Sequence, residues 1–240
     1  MIRTRQLALP FPHRPDYAGS AFIQAPSNEA ALAWLDRPAE WPGLRLALWG
    51  EPGCGKTHLL HRWTARAGAD WIDGPALRGL PPAPAYPVAL DDADLAADEE
   101  SLLHLLNAAQ QAGHPLLMAG RDAPARWPVR LPDLASRLRA TTAVRIGAPD
   151  EALLRRLLTR LLAERKLAVA EAVQDWILLR LPRSAAAIRE AAALLDRAAW
   201  EAKRDVTRRM AEECLEPLIV HGDEISGSEG PEAVEAPPLL

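Results

Sequence analysis

Leu44-Arg45-Leu46-Ala47-Leu48-Trp49-Gly50-Glu51-Pro52-Gly53-Cys54-Gly55-Lys56-Thr57-His58-Leu59-Leu60 is the stretch that decides the fold. Its first six residues form an apolar run that reads as a buried strand. Gly50 to Thr57 matches G-x-x-x-x-G-K-[ST] at every fixed position, and His58-Leu59-Leu60-His61-Arg62-Trp63 continues as a helix. Strand, glycine-rich loop and helix in that order are the context a phosphate-binding loop requires. Gly50, Gly53 and Gly55, with Pro52 and Cys54 between them, turn backbone N–H groups inward. The helix N-terminus adds its positive end. Lys56 is placed to reach β- and γ-phosphates, the Thr57 hydroxyl to hold Mg²⁺, and His58 to follow them on the helix. The expected ligand is ADP or ATP.

Working outward, Asp70-Trp71-Ile72-Asp73, Pro87-Val88-Ala89-Leu90-Asp91-Asp92, Pro115-Leu116-Leu117-Met118-Ala119 and Thr142-Ala143-Val144-Arg145-Ile146 read as further strands. A helix of about 12 residues, with Leu102, Leu103, Leu105 and Leu106 on its buried side, separates the third strand from the fourth. Ser27 or Asn28 caps an earlier helix carrying Ala30, Ala31, Leu32 and Trp34. Strands alternating with helices imply an α/β fold with a five-stranded parallel sheet. From Asp150 to Leu215 every pattern is helical. Leu153, Leu154, Leu157, Leu158, Leu161 and Leu162 share a face, as do Ile188, Ala192, Leu195 and Ala199. A small all-α subdomain therefore follows the α/β core. The expected boundaries are an extended arm at 1–20, the nucleotide-binding core at 21–148, a helical lid at 149–220 and an acidic, disordered tail at 221–240. Residues 222–240 hold five acids and no Lys or Arg.

Asp91 and Asp92 end the third strand. A carboxylate there can orient the water shell of Mg²⁺, and the acid beside it can polarise an attacking water. We therefore assign Asp91 to the metal and Asp92 to catalysis.

A net charge of −4 gives no sign of a basic nucleic-acid-binding face. No apolar run approaches the roughly 18 residues that span a bilayer, and the N-terminus lacks a signal peptide's apolar core. Cys54 and Cys214 are the only cysteines, which suggests neither a disulfide framework nor a metal cluster. No membrane association and a cytoplasmic location are expected. The eight tryptophans are scattered along the chain, and most read as core or interface packing.

A phosphate loop in an α/β core followed by a helical lid resembles the AAA+ family. Within it the chain is similar to the replication initiator DnaA and to the shorter Hda-type regulators that inactivate DnaA. The resemblance covers residues 3–217. It rests on Phe22-Ile23-Gln24-Ala25-Pro26-Ser27-Asn28-Glu29, Gly55-Lys56-Thr57-His58-Leu59, Ala89-Leu90-Asp91-Asp92 and Leu103-His104-Leu105-Leu106-Asn107. Leu131-Pro132-Asp133-Leu134-Ala135-Ser136-Arg137-Leu138 and Ile188-Arg189-Glu190 complete it. The resemblance implies that Arg137 is an arginine finger reaching a neighbouring subunit's nucleotide. It also implies that Arg189 is the lid arginine touching its own. A guanidinium suits both tasks, because it stays charged and offers a planar fork of donors. The chain departs from the pattern after the fourth strand, where DnaA-like chains carry Ser-Asp-Arg and this one has Ala119-Gly120-Arg121-Asp122. That departure puts fast intrinsic hydrolysis in doubt.

Near the N-terminus, Gln6-Leu7-Ala8-Leu9-Pro10-Phe11 looks like the peptide by which Hda binds the β sliding clamp of DNA polymerase III. An extended segment would present Leu7, Leu9 and Phe11 to apolar pockets while the Gln6 amide fixes the register. Pro10 keeps its neighbour extended. No basic helical pair follows residue 220, so sequence-specific DNA binding is not expected.

The function these features imply is negative regulation of replication initiation. A nucleotide-bound, clamp-tethered chain, with homo-oligomers possible, would stimulate ATP hydrolysis by DnaA and be at most a weak ATPase itself. The alternative is an autonomous AAA+ ATPase acting as a helicase loader or remodelling factor. A small-molecule kinase fits less well, given the Arg137 segment and the lid.

Overall fold

The computed structural model describes residues 22–225. The clamp-like peptide, Gln6 to Phe11, and the expected arm at 1–20 lie outside the described residues, as does 226–240.

Five parallel strands form one sheet: β1 (Arg45–Trp49), β2 (Asp70–Asp73), β3 (Val88–Asp91), β4 (Leu116–Gly120) and β5 (Thr142–Arg145), in the order β2-β3-β4-β1-β5. β1 lies between β4 and β5. Its Leu46 is opposite Leu117 and Thr142, and its Trp49 is opposite Gly120 and Arg145. Sheets buried on both faces read as near-continuous apolar runs, and alternate residues here serve opposite layers. Leu46, Leu48, Ala89, Leu117 and Ala119 pack with α1 (Glu29–Leu35) and α2 (Lys56–Ala67). Ala47, Val88, Leu90, Leu116 and Met118 pack with α3 (Glu99–Ala112) and α4 (Pro132–Arg139).

After β5 come four helices, α5 (Glu151–Glu164), α6 (Glu171–Arg180), α7 (Ala185–Ala202) and α8 (Arg208–Ile225). They enclose a separate core around Leu158, Ile177, Ala191, Leu195 and Leu215. α8 extends through Ile225, into the stretch expected to be tail. Among the described residues no helix is long and apolar enough to cross a membrane.

Two local expectations need correction. Asn28 precedes α1 but makes no capping bond to it. Its Oδ1 accepts from the Ala25 N–H and its Nδ2 donates to the Ile23 carbonyl, so the amide folds back onto the chain before the helix. Leu103 is only half-buried, because Leu102, Leu105 and Leu106 take the face toward the sheet.

Leu117 is fully buried in a central strand. Leu117→Ala is expected to lower unfolding free energy by about 2–5 kcal/mol. Urea denaturation followed by circular dichroism checks this.

Candidate functional site

The phosphate loop leaves β1 at the point where strand order reverses, with β4 on one side and β5 on the other. In open parallel sheets this crevice, at the carboxyl ends of the strands, is where ligands bind. The loop's backbone permits little besides glycine. A Cβ on Gly50 would stand 2.5 Å from the Ile146 carbonyl oxygen, and Gly53 has φ 78°.

Lys56 occupies the centre of the loop. Its Nζ donates to the Gly50 carbonyl at 2.6 Å and the Glu51 carbonyl at 3.1 Å, and lies 3.9 Å from Cys54 Sγ. The side chain is buried, so the loop's own carbonyls satisfy an ammonium that would otherwise be costly there. Burial pushes the Cys54 thiol above its usual range, against the opposing pull of Lys56. Thr57 is half-buried in the first turn of α2.

Asp91 ends β3 and is buried, with its Oδ1 accepting from the Asp92 N–H at 3.1 Å. Asp92 follows in the left-handed region at φ 47°, a conformation that aspartate tolerates better than most residues. The carboxyl of Asp92 is held above the usual range, first by burial and then by the charges of Asp91, Asp94 and Asp73, while Lys56 pulls it down. The structure thus brings Lys56 and both aspartates into one electrostatic neighbourhood.

The lid closes on the loop from the other side. The place a Gly53 Cβ would take is 3.3 Å from Ala186 Cβ and 3.4 Å from Ser184 Cβ. Ser184 caps α7 by accepting from the Ala187 N–H. α7 carries Arg189 in its second turn, and the charge of Arg189 is felt at His58. Burial chiefly, and then Arg189, His61, Arg160 and Arg62, lower the His58 imidazole to about 4. Phe22 sits edge-on to His58 with ring centroids 5.2 Å apart, and its Cε2 lies 3.9 Å from the place of a Gly55 Cβ. Gly50, Pro52, Gly53, Cys54, Gly55, Lys56, Thr57, His58, Asp91, Asp92 and Arg189 therefore gather at one end of the sheet.

Arg137 is elsewhere. It lies in the last turn of α4, where its main-chain oxygen accepts from Thr141 Oγ1 at 2.9 Å, just before β5 begins. β5 runs parallel to β1, so Arg137 sits at the strands' N-terminal edge. The phosphate loop is at the other edge, about 16 Å away along the five residues of β1. α4 is anchored by Glu99, whose carboxylate accepts from the Arg130 N–H at 2.9 Å and the Leu131 N–H at 2.8 Å.

Reading the sequence for motifs missed Asp94. Its Oδ2 accepts from the Arg121 N–H at 2.8 Å, and its Cγ lies 3.2 Å from the place of a Gly120 Cβ. The same place is 2.9 Å from Trp127 Cζ2, so a side chain at position 120 would collide with the indole. The signal was available as a third acid two positions after Asp92. The pressure of Ser184 and Ala186 on Gly53 is a long-range contact that no local pattern announces.

These residues fit a nucleoside phosphate. The loop has its glycines in the required conformations, and a cation is already seated among its carbonyls. Among the described residues no group of three or more His, Cys, Asp or Glu could hold a metal. Mg²⁺ in nucleotide sites takes one or two protein groups and completes its shell with phosphate and water, and Thr57 and Asp91 are of that kind.

No family model matches the chain. An uncharacterized protein of Haemophilus influenzae is 26% identical over 178 residues, which span 67% of this chain and 76% of that one. Domain III of the replication initiation protein DnaA from Thermotoga maritima superposes with a TM-score of 0.74 at 19% identity, covering 87% of this chain and 99% of the domain. AMPPCP-bound DnaA from Aquifex aeolicus gives 0.65 at 18% identity, over 78% of this chain and 67% of that one. The RuvB branch migration motor of Thermotoga maritima gives 0.56 at 16%, over 72% and 61%. The chain shares the fold of DnaA domain III.

The depressed His58 pKa carries a sign. The imidazole is neutral in the folded chain down to about pH 4, whereas the unfolded chain takes up its proton near pH 6.5. The contribution of His58 to stability is therefore complete above about 6.5 and is lost as pH falls toward 4. In urea unfolding at a series of pH values, His58→Gln is expected to flatten this slope. In an NMR titration of the imidazole, Arg189→Ala is expected to raise the His58 pKa, because a neighbouring positive charge is gone.

Proposed function

We propose that the chain binds ADP or ATP at Gly50–Thr57, with Mg²⁺ held by Thr57 and Asp91, and acts as an Hda-type regulator of replication initiation. Tethered to the β sliding clamp through Gln6, Leu7, Leu9, Pro10 and Phe11, it would present Arg137 to ATP bound by DnaA and so promote its hydrolysis. The observation that carries this reading is the separation of Arg137 from the chain's own phosphate loop. The two lie at opposite edges of the sheet. An arginine so placed does not serve a nucleotide in its own loop, and α4 holds it at the surface, 31% exposed.

In its own site the chain has the parts to bind and orient a nucleotide. Lys56 would exchange its carbonyl partners for phosphate oxygens, and α2 would offer N–H groups from its first turn. Arg189, on the helix that presses on Gly53, would sense whether phosphate is there. A bound nucleotide supplies the triphosphate charge that draws core and lid together. With glycine at position 120, no polar side chain there assists Asp92 in polarising an attacking water. Weak intrinsic hydrolysis follows.

A finger supplied in trans is worth about 10³–10⁵ in rate, or roughly 4–7 kcal/mol of barrier. Such a chain needs no fast chemistry of its own. The second reading, an autonomous ATPase that loads a helicase or remodels a partner, would require the intrinsic site to turn over quickly.

The test is ATP hydrolysis by DnaA in the presence of DNA-loaded clamp. Adding the chain should accelerate it, and Arg137→Ala should abolish the acceleration while nucleotide binding to the chain itself is retained. Replacing Gln6 and Leu9 by Ala should impair the acceleration through weaker clamp binding alone. Acceleration that survives Arg137→Ala sinks the regulator reading. Rapid turnover by the chain alone would favour the second.

A further inference from the structure

Arg45 is the first residue of β1 and only 8% exposed. Its Nε and Nη1 are buried and have no hydrogen-bond partner among the described residues. The guanidinium lies against the turn before the strand. A Cβ on Gly43 would stand 3.1 Å from Arg45 Nη2 and 3.5 Å from its Nε. Gly43, at φ 59°, keeps that space open.

Arg137 is brought to the same edge by the next strand. Its backbone is bonded to Thr141, and Thr142 is paired with Leu46, the residue after Arg45. Arg137 Nε is also buried without a hydrogen bond. Its acidic neighbour, Asp133 Oδ2, is 3.6 Å away and 65% exposed, too far to satisfy that donor. The closeness of the two cations is felt at Arg45, whose hold on its proton is weakened first by burial and then by the charge of Arg137. Two guanidinium groups with orphaned donors are what an oxyanion site looks like without its anion.

We propose that Arg45 and Arg137 form one oxyanion site at the N-terminal edge of the sheet, occupied by the terminal phosphate of a nucleotide held by a neighbouring subunit. Arg45 is the buried half of the site, and Arg137 is the half that projects. The choice of occupant rests on the reading of Arg137 as a group acting in trans. The chain's own nucleotide would lie at the far edge of the sheet, out of reach.

The site is tested in the full chain carrying Lys56→Ala, which disables the phosphate loop. Inorganic pyrophosphate should raise the Tm of this chain, since a ligand of the folded state stabilises it. Adding Arg45→Met or Arg137→Ala should weaken the response on the order of tenfold or more. Arg45→Met should itself raise Tm in the absence of anion, because it removes a buried, unpaired charge; this shows that the variant folds. No pyrophosphate response in the Lys56→Ala chain, or one that survives Arg45→Met, overturns the proposal. A second arm uses DnaA–ATP hydrolysis with Lys56 intact. There Arg45→Met should reduce the acceleration while ATP binding to the chain is unchanged. If Arg45→Met loses the pyrophosphate response but accelerates hydrolysis like the parent, the site takes free anions only. The neighbour's phosphate is then the wrong occupant, and the action of Arg137 in trans still stands. If acceleration never depends on Arg137, that reading falls instead.

Discussion

Lys56 Nζ donates to the carbonyls of Gly50 and Glu51, and this pair of bonds ties the start of α2 to the end of β1. A buried ammonium must be satisfied, and among the described residues two carbonyls of the loop and Cys54 Sγ do it. The loop therefore has to wrap around the lysine, and its glycines have to adopt conformations that other residues resist. Gly50 is wedged against the Ile146 carbonyl beyond β5, so the geometry of the loop is coupled to the register of β1 with β5. A phosphate entering the loop competes for the lysine with oxygens already in place. A phosphate would offer the ammonium an anionic acceptor in place of neutral carbonyl oxygens.

The lid depends on the same loop. Ser184 and Ala186 pack where a Gly53 side chain would be, so α7 is positioned by contact with the phosphate loop. The lid's own core, around Leu158, Ile177 and Leu195, is separate from the two layers that cover the sheet. The lid also meets the core through Arg156, whose Nη1 donates to the Gln24 carbonyl at 3.3 Å. Arg189 stands on the lid side of the glycine contact and His58 on the core side, where burial first and the charge of Arg189 second suppress the basicity of His58.

Much of this was legible in the sequence because it is local. The G-x-x-x-x-G-K-T spacing, the apolar runs of β1, β3 and β4, and the helical periodicity after Asp150 each follow from residues near one another in the chain. Strand positions were correct to within a residue or so because parallel strands buried on both faces leave long apolar signatures. What the sequence concealed was non-local. The folding back of Asn28 onto Ile23 and Ala25 replaced an ordinary cap, since the amide's bonds depend on how the chain arrives from Phe22. Gly120 was recognisable as a departure, but the filling of the space beside it by Trp127 and Asp94 is a tertiary contact. Arg45 was read only as part of the apolar run from Leu44 to Trp49, because nothing in the local pattern says that the strand's first position is buried beside a second arginine.

That last misreading bears on what the molecule stores. Leaving a charge buried and unpaired costs about 3–5 kcal/mol, a large fraction of the roughly 5–15 kcal/mol that holds a domain folded. A hydrophobic residue at position 45 would continue the apolar run of β1 and avoid that cost. The C-terminal carbonyls of α4 offset part of the charge on Arg137, as a helix end does for a cation. They do not reach the orphaned Nε and Nη1 of Arg45. A cation kept dry beside another cation is poor design for stability and good design for capture. Its donors are already desolvated and aimed, so an incoming oxyanion gains their full strength without first stripping water from them. If Arg45 and Arg137 hold a partner's phosphate as proposed, relief of that cost would contribute to docking.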